Sequence, residues 1–178
     1  MVNTSINLDK NPSAIRYPRG NGIGVDLPSI DEKIDIGKGR IIEEGKKIAI
    51  LNFGARLEEC MIAKANLNKK GIYPTIFDAR FVKPLDENLI WQIATDHDYL
   101  ITIEEGSIGG FGSHVTNFLA NKNLLDSSIK LRTMILPDQF LDQDDPNQMY
   151  KQAGLDANSI EQKVLDLLNS KIIIQKQK

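Results

Sequence analysis

Between Tyr99 and Val115 the chain reads YLITIEEGSIGGFGSHV, a stretch that few folds accommodate. Tyr99-Leu100-Ile101-Thr102-Ile103 is an apolar run of strand length. It stops at Glu104-Glu105, passes glycines at 106, 109, 110 and 112, and re-emerges with Val115, Phe118 and Leu119 at helical spacing. The order is therefore strand, glycine turn, helix. Glycine has no Cβ, so such a turn brings a helix start against a strand end, and in an open α/β sheet that edge is where ligands or partners sit. Three uses of the loop stand open. A dinucleotide fingerprint requires G-x-G-x-x-G, whereas the order here is G-x-x-G-G-x-G with two carboxylates where a phosphate would approach, which argues against a nucleotide. The loop can instead be a tight turn packing helix on strand, with Ser113 as N-cap, or a packed contact with another domain or subunit.

The flanking sequence repeats the strand-helix alternation. Gly39-Arg40-Ile41-Ile42 and Lys47 to Phe53 bracket Glu43-Glu44-Gly45-Lys46, which reads as a hairpin turn. The second of these strands is continuously apolar, as a strand buried on both faces requires. Leu57, Met61, Ile62, Ala65 and Leu67 then follow helical spacing up to Lys69-Lys70-Gly71. Ile72 to Ala79 reads as a strand with Pro74 against its centre, Pro84 and Asp86 open a helix through Ala94, a helix runs over 114 to 121, and Ile129 to Leu136 is the last strand. A final helix covers 157 to 168, and Lys171 to Lys178 is expected to fray. Ahead of these elements, residues 1 to 12 carry no structural signal, and Ser13 to Tyr17 alternates as a short strand closed by Pro18. Val25 to Asp35 is a polar connector read as an interdomain linker. The fold class that follows is α/β: three layers, a mainly parallel sheet with one antiparallel edge strand, and helices on both faces.

Composition removes several functions. With 22 basic and 24 acidic residues scattered along the chain, no nucleic-acid footprint is visible. No run approaches the length of a membrane span and MVNTSINLDK is no signal peptide. A single cysteine, Cys60, excludes a disulfide framework and points to a reducing compartment, the cytoplasm, with the thiol itself a small buried hydrophobe. Two histidines, His97 and His114, lack partner ligands at metal-binding spacing, so no metal is expected. His114, at a helix start, is either a packed structural residue or a neutral hydrogen-bonding residue at an interface. Asp142, Asp144 and Asp145 lack the glycine and the glutamate of a calcium loop and read as a solvated turn before Pro146. The remaining candidate is Arg19, on a Pro18-Arg19-Gly20 corner. Its planar fork suits a phosphate or carboxylate and the adjacent glycine allows close approach, although a solvated surface charge has the same signature.

Several motifs then fall in one order: AIRYPRGNG at 14 to 22, GKGR at 37 to 40, LNFG at 51 to 54, DARFVKPLD at 78 to 86, EEGSIGGFGSH at 104 to 114, LPD at 136 to 138 and AGLD at 153 to 156. Together they resemble the 1-deoxy-D-xylulose-5-phosphate synthases of the transketolase-like, thiamine-diphosphate-dependent group, and they resemble only the C-terminal portion. The resemblance implies the end of a pyrimidine-binding domain at 1–24, a linker at 25–36, a transketolase C-terminal domain at 37–170 and a tail at 171–178. It implies condensation of pyruvate with glyceraldehyde 3-phosphate and release of carbon dioxide, feeding isoprenoid, thiamine and pyridoxal precursors. The family's thiamine diphosphate and Mg sites lie in the two earlier domains, so no catalytic, cofactor or metal residue is carried over to this chain, which alone is expected to bind no cofactor and to be inactive. Arg19 matches the arginine that contacts the aldehyde's phosphate. The partners implied are the missing N-terminal domains and a second copy in a homodimer, with Phe111 and His114 as interface residues. A non-catalytic binding or regulatory module, or a free-standing flavodoxin-type domain, are the other uses of such a chain.

Overall fold

In chain order the computed structural model contains α1 (Val2–Ser5), β1 (Arg40–Glu43), β2 (Ile48–Phe53), α2 (Leu57–Asn68), β3 (Thr75–Asp78), α3 (Glu87–Asp96), β4 (Tyr99–Glu104), α4 (Phe111–Asn121), β5 (Lys130–Met134), α5 (Pro146–Gln152) and α6 (Ala157–Lys176). It describes all residues except 19–21, 23, 27, 28, 30, 31, 127, 177 and 178, with backbone only for 170–176. Strand β4 is buried at all six positions and β2 at its first five. Because successive side chains point to opposite faces, a strand with no polar side must be covered twice. One face carries Ile48, Ile50, Ile76, Ile101 and Ile103 against Cys60, Ala63 and Leu67 of α2 and Ile160, Val164 and Leu167 of α6. The other carries Ala49, Leu51, Phe77 and Leu100 against Ile90 and Ile93 of α3 and Val115, Phe118 and Leu119 of α4. Each fully buried aliphatic side chain contributes about 1.5 to 3 kcal/mol.

The five strands lie in the order β1-β3-β2-β4-β5, parallel except for β1 against β3. The expected three-layer α/β class with an antiparallel edge strand is thus the fold. The hairpin is not: β1 pairs with β3 rather than with β2. Both sides of β2 are occupied by parallel neighbours, Ile50 lying between Ile76 and Ile101. The chain therefore passes from β1 to β2 beneath the start of β3. There the Gly45 amide donates to Thr75 Oγ1 at 3.1 Å and the Lys46 amide to the Tyr73 carbonyl at 2.6 Å, while Lys47 takes φ 65°. Buried Lys64 of α2 holds this crossing by donating to the Glu44 carbonyl at 2.9 Å and pairing with Glu43 at 3.1 Å.

Other differences are local. Residues 13–17 form no strand and Tyr17 is exposed, because among the described residues no strand edge lies beside them for that alternation to pair with. The first residues do carry structure: Thr4 of α1 is buried and its Oγ1 accepts from the Ile34 amide at 2.9 Å. Strand β3 begins at Thr75, after Pro74, rather than at Ile72. The α6 backbone is helical to Lys176, with neither glycine nor proline interrupting residues 157–176.

A Cβ at Gly45 would collide with the Tyr73 and Pro74 carbonyl groups, which are backbone and cannot swing aside. Gly45→Ala is therefore expected to lower stability by about 1 to 3 kcal/mol, read as a reduced urea midpoint with unchanged slope. Cys60 is fully buried, and burial, with a smaller push from Glu59, raises its thiol from 9.0 to about 12. A raised acid favours the folded state only while the thiol stays protonated. Stability is thus complete below pH 9 and falls on the order of 1.4 kcal/mol per pH unit between 9 and 12, a slope that Cys60→Ala should remove.

Candidate functional site

The carboxyl ends of β3, β2 and β4 form one edge where the polar residues of the core collect: Asp78, Asn52 and Glu104 are all buried. Glu104 ends β4, and after it the chain turns back through the glycine loop. One carboxylate oxygen, Oε1, accepts from the Gly112 amide in the first turn of α4 at 2.8 Å. The other fills the space that a side chain on Gly106 or Gly110 would need, the Gly110 Cβ position lying 2.5 Å away. At Gly112 a Cβ would sit 2.8 Å from Thr102 Oγ1. The glycines are therefore there to let α4 close over a buried carboxylate, which supplies the negative charge that a helix N-terminus favours. Only Gly109 uses the left-handed region, at φ +95°.

This arrangement separates the uses that the sequence left open. Helix α4 starts at Phe111 with Gly110 as N-cap, so Ser113 is not the cap; its Oγ instead accepts from the Gly109 amide at 2.9 Å. The place a phosphate would take is filled by Glu104, so the loop does not fit a diphosphate. Among the described residues no cluster of three His, Cys, Asp or Glu could hold a metal. Phe111 is 1% exposed and stacks on Phe53 with ring centroids 4.8 Å apart, so it is a core residue and offers no surface to a partner, contrary to the interface role expected of it. The apolar side chain that the loop does present is Ile108, 77% exposed. His114 lies half-buried in the first turn of α4. His97 is structural, with Nε2 2.9 Å from Thr75 Oγ1 and Nδ1 3.2 Å from the Ile93 carbonyl.

Beside the loop, Glu105 pairs with Arg56 at 2.7 Å, and the Arg56 guanidinium lies 3.7 Å over the Tyr150 ring. Burial, then the Glu105 charge, raises the Tyr150 hydroxyl above its usual range. These three side chains join the start of α2 and the second half of α5 to the end of β4. Asp145 caps α5 by accepting from the Asn147 amide at 2.9 Å.

A different charge balance holds at the end of β3. Asp78 accepts from Arg40 Nε at 3.1 Å and pairs with Arg80 Nε at 3.9 Å. Arg80 takes φ 58°, a conformation uncommon for a residue other than glycine and concentrated at functional sites. Two guanidinium groups thus share one carboxylate, and Glu32 acts on Arg80 as a second negative charge. Arg19, the arginine expected to bind phosphate, lies outside the described residues. Neither Glu104 nor Arg80 was singled out from sequence. The signal for Glu104 is an acid closing an apolar strand with glycines two, six and eight residues on; for Arg80 it is an arginine just past a strand end.

Glu104→Ala is expected to leave the Gly112 amide without an acceptor and a void under the loop, lowering stability by about 1 to 3 kcal/mol. Glu104→Gln keeps an acceptor oxygen and should cost less; chemical denaturation of both variants checks the order.

The family model for the transketolase C-terminal domain matches residues 37–160. Among solved structures, a split-gene transketolase described as an inactive beta4 tetramer superposes with TM-score 0.68 and 26% identity, covering 80% of this chain and 46% of its own. Transketolase from Campylobacter jejuni superposes with TM-score 0.52 and 12% identity, covering 73% of this chain and 18% of its own, which is a likeness of fold. The chain thus spans less than half the length of each. With a family match extending over more than half of its residues, this chain belongs to the transketolase C-terminal domain family.

Proposed function

We propose that this chain serves as the C-terminal part of a 1-deoxy-D-xylulose-5-phosphate synthase, a thiamine-diphosphate-dependent transferase joining pyruvate to glyceraldehyde 3-phosphate with loss of carbon dioxide. The observation that carries the reading is the Arg40-Asp78-Arg80 cluster. Arg40 of the GKGR motif and Arg80 of the DARFVKPLD motif bring two guanidinium groups together at the carboxyl end of β3, and a phosphorylated substrate needs such cationic donors. Arg80 and Arg19 are the two ligands assigned to that phosphate. The loop residues do not fit a diphosphate, so the cofactor's chemistry, stabilising the carbanion left by decarboxylation, belongs to domains outside this chain. What these residues supply is substrate orientation and a wall that excludes water.

The chain works, on this reading, in the cytoplasm as a subunit or segment beside the cofactor-binding domains and within a homodimer. The related split-gene transketolase, described as inactive in its tetramer, supports the idea that such a piece is silent by itself. Exposed Ile108 and half-buried His114 mark the partner-facing side of the glycine loop.

The test is reconstitution. The chain alone, given thiamine diphosphate, magnesium and both substrates, should yield no product, and addition of a chain bearing the two missing domains should yield it. In the reconstituted enzyme Arg80→Ala and Arg19→Ala should each raise KM for glyceraldehyde 3-phosphate on the order of 10- to 100-fold, with pyruvate nearly unaffected. Equal effects on both substrates would remove these arginines from the phosphate site. A mixture that binds but stays inactive would favour a non-catalytic binding module instead.

A further inference from the structure

Strand β5 is the last of the sheet: it pairs with β4 in parallel, and among the described residues no strand lies beyond it. Which of its backbone groups face that open edge follows from parity. The Lys130 amide donates towards β4, to the Asp98 carbonyl at 3.0 Å, and the Leu136 amide donates to the Gly106 carbonyl at 2.8 Å. Peptide groups alternate sides along a strand, so the N–H and C=O groups of Leu131 and Thr133 point outward. The Arg132 guanidinium folds back and donates from Nη1 to the Leu131 carbonyl at 2.7 Å, holding the place of a neighbouring strand's amide. Side chains alternate as well. Leu131 packs in the cluster under α4, and Thr133 Cγ2 lies 3.1 Å from where a Gly112 Cβ would stand. Lys130 lies on the other face, 6.0 Å over the Tyr99 ring, Met134 belongs to the cluster on that face, and Arg132 falls between them.

We propose that the β5 edge and the groove beside it take an extended segment of a partner chain in which apolar and acidic residues alternate, added to the sheet as a further strand. The groove, about 520 Å³, lies between α4 and β5, with Ile108, Ile135 and the small residues Ser113, Thr116 and Ala120 in its walls. Short side chains at those three helix positions leave depth for larger ones from the partner. In a strand paired with β5, side chains opposite Leu131 and Thr133 fall on the α4 face and enter this groove, whereas those opposite Lys130 and Arg132 fall on the face where the two cations stand. Charge favours an acidic partner. Residues 106–125 and 128–137 contain no aspartate or glutamate, yet carry Lys122, Lys130 and Arg132, in a chain of net charge −2. Arg132, displaced from the Leu131 carbonyl by the partner's amide, is then free to pair with a carboxylate. Main-chain bonds supply the affinity and the alternating side chains supply the specificity.

Cationic residues on an edge strand also discourage pairing between sheets, and a peptide of matched charge separates the two roles. The probes are short labelled peptides: valine alternating with glutamate, valine alternating with lysine, and the valine–glutamate composition arranged in blocks. Fluorescence anisotropy with the intact chain should show the valine–glutamate alternation binding about 5-fold or more tightly than either of the others. Followed by NMR, its binding should slow hydrogen exchange at the Leu131 and Thr133 amides and leave that of Lys130, already bonded to Asp98, unchanged. Thr133→Pro removes an outward N–H without touching the bonds to β4, and should weaken binding about 5-fold or more. Arg132→Glu, at an exposed side chain, should turn the preference toward the lysine peptide with an unchanged circular dichroism spectrum, and it carries the test if the proline variant fails to fold. Equal binding of the glutamate and lysine peptides, binding of neither, binding that leaves the two outward amides unprotected, or an unaltered preference in Arg132→Glu would each overturn the proposal. So would sedimentation showing that the chain without peptide is a dimer with those amides already protected, which would give the edge to a second copy.

Discussion

Two-sided burial of β2 and β4 is the constraint on which the rest of this structure depends. Neither strand has a polar face, so both need helices above and below and parallel neighbours on either side. With β3 on one flank of β2 and β4 on the other, β1 cannot pair with β2 and lies beyond β3. It also confines polar chemistry. Side chains in mid-strand are apolar nearly throughout, and the buried acids and amide, Asp78, Asn52 and Glu104, lie at or near the carboxyl ends, where helix cover gives way to loops.

The two corners on that edge solve the burial of charge in opposite ways. At β4 the Glu104 carboxylate is buried beneath α4 and satisfied on one oxygen by the Gly112 amide, with its other oxygen enclosed by glycines. Burying a carboxylate is costly unless hydrogen bonds and favourable dipoles offset it, and a helix N-terminus supplies both. The price is sequence freedom: Gly106, Gly110 and Gly112 cannot take a Cβ without striking Glu104 or Thr102. At β3, Asp78 is paired with both Arg40 and Arg80 and stays near the surface.

Much of this was legible because periodicity reports burial directly. Continuous apolar runs at 48–53 and 99–103 identified doubly covered strands, and the helix start at Asp86 followed from its capping chemistry, with Asp86 Oδ1 accepting from the Leu89 amide at 3.1 Å. Pairing was harder to read. The β1–β2 connection carries a turn composition that suits a hairpin, and only knowledge that β2 has no free edge excludes one. Alternation at 13–17 likewise reports a strand-like pattern without saying what it would pair with. Phe111 misled for a related reason: a phenylalanine between loop glycines looks available to a partner, yet the same glycines allow α4 to seat it on Phe53. Arg80 was invisible because its significance lies in a backbone angle and in a carboxylate shared with a residue forty positions earlier.

The asymmetry between the corners also explains how a glycine-rich loop and an arginine cluster on one sheet edge divide their tasks. A loop already occupied by its own carboxylate has no room for an anionic ligand, so it acts through shape, presenting Ile108 outward and holding α4, Arg56 and α5 in register. The β3 corner is the converse, with two cations on one carboxylate and donor groups left unused by the protein. The sheet edge thus carries one carboxylate enclosed by glycines, at β4, and one paired with two guanidinium groups, at β3.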